Sequence, residues 1–203
     1  MDWTKTALVI IDPQVDVLDP EGAFWDLVGE QVSRFGTVEK LMALRDAAEQ
    51  AGVAVFYSWL QVKDEDYAAL EPKNGLQQLM ADRKTFLPDG GGRFVPQLEP
   101  TSSTILLKPR QGPSAVASDL MDHLRERGIE TIVVAGMIAN LCVESHVRDV
   151  TDAGFGAIVV GDAIATTDDA ALAGSLRISV CWRAVSPRPL RSSSRCAPRI
   201  ETE

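Results

Sequence analysis

Ala7 to Ile11 is apolar at every position and stops abruptly at Asp12-Pro13. A strand with one wet face alternates apolar and polar residues. An unbroken run has no wet face, so it belongs to a sheet covered on both sides. Four further stretches read as strands: Val53 to Tyr57 after Gly52, Ser103 to Leu107 before Lys108-Pro109, Thr131 to Ala135, and Ala157 to Val160 after Gly154. Between them lie helix periods. Val38, Leu41, Met42, Leu44, Ala48 and Ala51 mark one helix, and Val116, Leu120, Met121 and Leu124 a second. Cys142, Val143, His146, Val147 and Val150 mark a third, running to about Ala153 and closed by Gly154. Apolar strands alternating with helices predict an α/β fold with a parallel sheet between helical layers.

The 203 residues suit one α/β domain with a substantial core. At 45% hydrophobic and 24% charged, the composition is that of a folded protein rather than a disordered one. A formal charge of −9 argues against a nucleic-acid partner, because phosphate binding needs a basic face. No apolar run approaches a membrane span, and Met1-Asp-Trp-Thr-Lys5 lacks the pattern of a signal peptide. Three scattered cysteines, Cys142, Cys181 and Cys196, form no disulfide framework and no Cys-x-x-Cys, so a cytoplasmic location is expected.

Two regions stand apart. Lys63 to Pro100 is polar and rich in Pro and Gly, and reads as insertion loops with a short helix near Leu76 to Asp82. Gly90-Gly-Gly92 within it lacks the spacing of a nucleotide-binding loop. From Gly174 the chain becomes Arg-, Ser- and Pro-rich and carries +4, leaving −13 for the rest. The domain is therefore assigned to residues 1–173 and an atypical tail to 174–203. Within the tail only Ile178 to Trp182 alternates well enough to pair as an edge strand, and residues beyond about Pro187 are expected to pack poorly.

Ligands of an open parallel sheet bind outside the carboxyl ends of its strands. Asp12, Lys108 and Cys142 lie at three such ends. Taken singly, Asp12 could cap a turn, Lys108 could be a solvated charge and Cys142 a small buried hydrophobe. Together they make a reactive set. A carboxylate can take a thiol proton, an ammonium can steady the resulting thiolate, and the thiolate can attack a carbonyl. The strand-to-helix turn at Cys142 should favour the anion and lower the thiol pKa. His123 and His146, the only histidines, both fall within helices and suggest no serine-type triad.

The motifs Ala-Leu-Val-Ile-Ile-Asp12-Pro-Gln14, Leu-Leu-Lys108-Pro-Arg110 and Ala-Gly-Met-Ile-Ala-Asn-Leu-Cys142-Val-Glu-Ser-His146 resemble those of the isochorismatase-like cysteine hydrolases. This superfamily includes nicotinamidases and N-carbamoylsarcosine amidases, and the similarity runs from about Thr6 to Asp169. The resemblance implies a three-layer α/β/α sandwich around a mostly parallel sheet of five or six strands. It implies Cys142 as nucleophile, Asp12 as general base and later acid, and Lys108 as their electrostatic partner. It also implies a cis peptide between Met137 and Ile138. That bond would turn the Ile138 N–H towards the substrate, where it forms an oxyanion hole with the Cys142 N–H. Ile138 is bulkier than the small residue many relatives carry, and so would narrow the pocket.

Nicotinamidases carry a histidine-containing metal site after the second strand. The matching loop here, Trp59 to Tyr67, has no histidine, and its Asp64, Glu65 and Asp66 read as a solvated acidic turn. No metal and no cofactor are expected, which disfavours nicotinamide as substrate. Gln14, Phe24, Trp25 and Trp59 are candidate pocket residues. The implied activity is hydrolysis of a C–N bond in a small amide or ureido/carbamoyl compound through a Cys142 thioester, by a homo-oligomer (dimer or tetramer). Two alternatives are vinyl-ether hydrolysis of the isochorismatase type, against which Cys142 argues, and a catalytically silent interaction protein.

Overall fold

The structure is a computed structural model, and it describes residues 1–181. Five strands form one parallel sheet: β1 (Thr6–Ile11), β2 (Ala54–Ser58), β3 (Thr104–Leu106), β4 (Thr131–Met137) and β5 (Gly156–Ala165). Their order is β3-β2-β1-β4-β5, and every neighbouring pair is parallel. All six residues of β1 are buried. Because side chains alternate faces along a strand, that pattern requires helices on both sides of the sheet.

Eight α-helices supply the cover: α1 (Val15–Leu18), α2 (Trp25–Phe35), α3 (Thr37–Gln50), α4 (Asp64–Ala69), α5 (Gly75–Arg83), α6 (Leu120–Glu126), α7 (Glu144–Asp152) and α8 (Asp169–Cys181). Gly36, at φ 57°, both ends α2 and begins α3, a left-handed bend that glycine makes without a steric penalty. Helix α3 then lies across β2, β1, β4 and β5.

The sheet's crossover point determines where a site can form. The chain runs outwards from β1 through β2 to β3, then returns to place β4 on the other side of β1. Connections diverge there, leaving a crevice at the carboxyl ends of β1 and β4. Gly136 keeps the two strands close at that end. Its φ is 117°, and a Cβ there would come within 2.1 Å of the Ile11 carbonyl, one residue before Asp12.

Three expectations are corrected. Ile178 to Cys181 belongs to α8 rather than to an edge strand, and α8 passes through Gly174 without a break, across the boundary drawn at residue 173. The period from Asp169 supports a helix, and it outweighs the local alternation. The second expected helix begins only at Leu120; Val116 sits in a short 3-10 turn and is exposed. The acidic stretch is exposed at Asp64 and Glu65, in keeping with a solvated turn; it forms the first turn of α4, where carboxylates favour the helix N-terminus and Asp66 accepts the Lys63 N–H at 2.9 Å. Trp182 and the Pro/Arg run beyond Pro187 lie outside the described residues.

Candidate active site

Asp12 directly follows β1, at φ 49°, a conformation that Asp tolerates better than most side chains. Its carboxylate is buried and pairs with the guanidinium of Arg110, which is also fully buried. Cys142 lies in a π-helical turn, Ala139–Val143, that joins β4 to α7. Its buried thiol lines the same cavity as Asp12 and lies close enough to Asp12 and Arg110 for both charges to act on it. Support for that turn comes from α8 and the loop before it: the Ser175 hydroxyl donates to the Ala139 carbonyl at 2.8 Å, and Thr166 donates to Asn140 at 2.6 Å. The Met137–Ile138 peptide is cis.

Lys108 is not part of this cluster. Its side chain is 76% exposed and its nearest acid is Asp119, at 4.0 Å. The reason lies in the chain's path after β3. The Lys108 N–H turns outwards to the Asp119 carboxylate at 2.9 Å. Pro109 has no N–H to offer the ladder. Arg110 then rejoins it, with its N–H on the Trp59 carbonyl and its own carbonyl accepting from Gln61, both at 2.9 Å. The detour ejects Lys108 and delivers Arg110, two residues later, to the buried side. The cation expected at Lys108 is therefore supplied by Arg110.

Arg110 is held by more than Asp12. Its Nε donates to the Ser58 hydroxyl at 2.9 Å, and its Nη1 to the Gly112 carbonyl at 2.7 Å. Since Ser58 Oγ accepts from arginine, its own proton is free for His146 Nε2, 2.8 Å away. His146 Nδ1 then carries hydrogen and donates to the Cys142 carbonyl at 2.7 Å. His146 is fully buried, and burial next to the Arg110 charge holds its pKa well below the ordinary imidazole value. A neutral imidazole with its proton on Nδ1 satisfies every bond in this chain.

The electrostatics revise the expected thiolate. Burial raises the Cys142 pKa well above the usual thiol range, and the neighbouring Asp12 carboxylate adds to the effect, with Arg110 opposing. Burial also raises Asp12, again against Arg110. Desolvation and like charge thus outweigh the helix terminus at this cysteine. The resting cluster holds a thiol, a carboxylate and a guanidinium. Passing the thiol proton to Asp12 leaves its total charge unchanged, so the thiolate can form by internal exchange without adding a buried charge.

Above the cluster opens a cavity of about 220 Å³, lined by Asp12, Cys142 and Ile138 and walled by Phe24, Met80 and Phe86 among others. Of the other expected pocket residues, none lines it. Gln14 is buried beneath the site, where its amide bonds the Leu60 carbonyl and N–H and the Gly92 carbonyl at 2.6–2.8 Å. Trp59 donates to the Leu107 carbonyl at 2.7 Å and stacks at an angle on Phe94. Trp25 packs partly buried against the core and against Gly29. Among the described residues, no group of three or more His, Cys, Asp or Glu side chains could hold a metal ion. Among the same residues, no helix is long and apolar enough to cross a membrane.

Comparison with known proteins places this geometry in context. Residues 6–178 match the model of the isochorismatase domain. The ureidoacrylate amidohydrolase RutB of Agrobacterium fabrum is 32% identical over 178 residues, covering 79% of this chain and 75% of the relative. Two solved structures share the fold. One, an isochorismatase family protein from Desulfovibrio vulgaris, has a TM-score of 0.73 at 22% identity, over 87% of this chain and 90% of the other. The second, N-carbamoylsarcosine amidase from Thermoplasma acidophilum, has a TM-score of 0.66 at 21% identity, over 84% and 89%.

Proposed function

Because this chain belongs to the isochorismatase family of hydrolases, we propose that it is a cysteine hydrolase cleaving the C–N bond of a small amide or ureido/carbamoyl compound. The observation that carries the reading is the meeting of Cys142 and Asp12 at the floor of one cavity, with Arg110 buried behind Asp12, at the sheet's crossover point. The amidohydrolase activity in the names of its relatives supports the bond type.

Asp12 accepts the Cys142 proton as sulfur attacks the carbonyl carbon, and a C–S bond forms while the carbonyl oxygen becomes anionic. The N–H groups of Ile138 and Cys142 form the oxyanion hole for that charge. Asp12 returns its proton to the nitrogen, the C–N bond breaks, and ammonia or an amine leaves. Water then enters, Asp12 takes its proton, and hydroxide attacks the thioester. Collapse expels the thiolate, which recovers its proton from Asp12, leaving the acid product. Arg110 remains charged throughout, since guanidinium does not deprotonate in proteins. It offsets the single negative charge that shuttles between sulfur and carboxylate.

Cysteine usage supports a reducing cytoplasm, and the family resemblance supports a homo-oligomer. An ammonia-release screen over primary amides and carbamoyl compounds tests the reaction. Cys142→Ala should abolish turnover by at least about 10⁴-fold, as loss of a nucleophile does. Cys181→Ala and Cys196→Ala should leave it nearly intact. Equal losses from all three would sink the assignment.

A further inference from the structure

The walls of the Cys142 cavity carry information that the catalytic floor does not. Among the described residues, Asp12, Cys142, Asn140 and Thr167 are its only lining residues with polar side chains. The rest are apolar or lack a side-chain polar atom, chiefly Phe24, Val28, Leu76, Leu79, Met80 and Phe86. Asn140 already accepts from Thr166, and Thr167 lies within hydrogen-bond distance of Asp168 at 3.3 Å. Among the described residues no Lys or Arg lines the cavity. Two guanidinium groups lie close to lining residues, Arg110 at Asp12 and Arg83 over the Phe24 ring, and both are engaged. Arg110 is bound by Asp12, Ser58 and Gly112. Arg83 forks onto Asp26 at 2.6 and 2.9 Å, outside the cavity.

A carboxylate entering this space would lose its hydration without gaining a cation from the described residues, which makes its burial strongly unfavourable. It would also face Asp12. An alkyl or aryl group, by contrast, gains the transfer free energy of its buried surface. We infer that the substrate is an uncharged amide or carbamoyl compound bearing an apolar substituent, and not an amido or ureido acid such as ureidoacrylate, named for the RutB relatives. The inference rests on the cysteine-hydrolase reading above and names its substrate class. The scissile carbonyl sits on the charged floor, and the substituent points between α2 and α5.

The test uses a matched pair, hexanamide and adipamic acid, in which a terminal methyl is exchanged for a carboxylate. Ammonia release gives kcat/KM for each. Protection of Cys142 from iodoacetamide, read by mass spectrometry, reports binding even where turnover is slow. Hexanamide should be favoured at least tenfold in both measurements. In Leu79→Lys, a partly buried position on α5 where a lysine can extend to solvent, the preference should move at least tenfold towards adipamic acid. Leu76→Lys repeats the test one turn away should the first variant fail to fold. Equal or better binding of adipamic acid by the unmodified protein would overturn the inference, as would protection by neither compound. A Cys142 that resists iodoacetamide and supports no ammonia release from any amide would instead overturn the cysteine-hydrolase reading itself.

Discussion

The floor and the wall of the cavity are built on opposite principles. The floor, Asp12 and Cys142 with Ser58, Arg110 and His146 beneath them, is polar, at most 4% exposed, and comes from strand ends, the segments that follow them and, for His146, the first turn of α7. Its carboxylate, guanidinium, hydroxyl and imidazole are bonded in one chain, which fixes their arrangement. The wall, including Phe24, Leu76, Leu79, Met80 and Phe86, comes from α2, α5 and the long connection after β2, and is held by apolar contact. One buried carboxylate joins two segments of the wall: Asp16 accepts the N–H of Ala23 at 3.0 Å and that of Phe86. Bond cleavage thus depends on the sheet edge, and substrate choice on segments that can change without disturbing it. Mutations in the floor should lower kcat and stability together, while mutations in the wall should move KM and specificity.

The sharpest test of this division is Arg110→Leu. It leaves the Asp12 carboxylate buried without its cation, a change that typically costs about 3–5 kcal/mol of stability. Activity should fall by on the order of 10²–10³-fold, the scale of losing a preorganised electrostatic group. Adding Asp12→Asn should restore much of the stability, because no lone charge is then buried, yet leave the enzyme inactive. Arg110→Lys keeps the charge but cannot reach Asp12, Ser58 and Gly112 at once, and should fall between. Chemical denaturation and kcat together check the set. A full-activity Arg110→Leu would return the cation's role to some other group.

The pH profile follows from the same floor. Asp12 must be ionised to take the thiol proton, so the rate falls as pH drops through its pKa. Burial raises that value, and the acid limb should lie above the ordinary carboxylate range. At high pH the pair loses its last shared proton, and none remains for the leaving nitrogen. Because Cys142 is raised as well, the rate should stay level beyond the usual thiol range before it falls. His146, depressed and neutral across this window, adds no limb. A kcat/KM profile with an acid limb at or below the ordinary carboxylate value would contradict the buried pairing.

His146 acts one step further back. His146→Leu removes the acceptor of the Ser58 proton and the donor to the Cys142 carbonyl, leaving buried groups unsatisfied at about 1–3 kcal/mol each. The Arg110 fork loses one of its fixed supports, and kcat should drop roughly tenfold with KM little changed, as small misplacements of catalytic groups do. His146→Gln, whose side-chain oxygen can still accept from Ser58, should recover most of kcat. Equal losses in both variants would assign His146 to packing alone.

The two regions also differed in how far they were legible from sequence. Strands buried on both faces leave unbroken apolar runs, so β1 and β4 and the residues ending them, Asp12 and Cys142, were readable. The helix after Cys142 had a clean period. The wall was not. Phe24 lines the cavity, but Trp25 and Trp59 are not separable from it by residue type, and Gln14 lies beneath it. Helix α2 escaped because no strand-helix alternation demanded it. Ser58 and His146 were invisible for another reason: their meaning lies in bonds across 88 residues, which no local pattern carries. Arg110 was in view within the Lys108-Pro-Arg110 motif, but a proline break decides which cation turns inwards, and periodicity cannot resolve a detour of two residues.

That last point yields the smallest expected effect and the most direct comparison. Lys108→Ala removes a cation only two residues from Arg110. The side chain it removes is three-quarters exposed, stands 4.0 Å from Asp119 and touches nothing in the cavity. An exposed pair at that distance contributes at most about 1 kcal/mol and often nothing measurable. The Lys108 backbone N–H keeps its bond to Asp119 whatever the side chain, so the outward turn is preserved. Stability should stay within about 0.5 kcal/mol of the parent, as for most surface substitutions. By the same argument kcat/KM should change by no more than about twofold, and the pH profile not at all. A large loss of kcat in Lys108→Ala, with the protein still folded, would mean that the lysine swings inwards during turnover and shares the cationic role here given to Arg110.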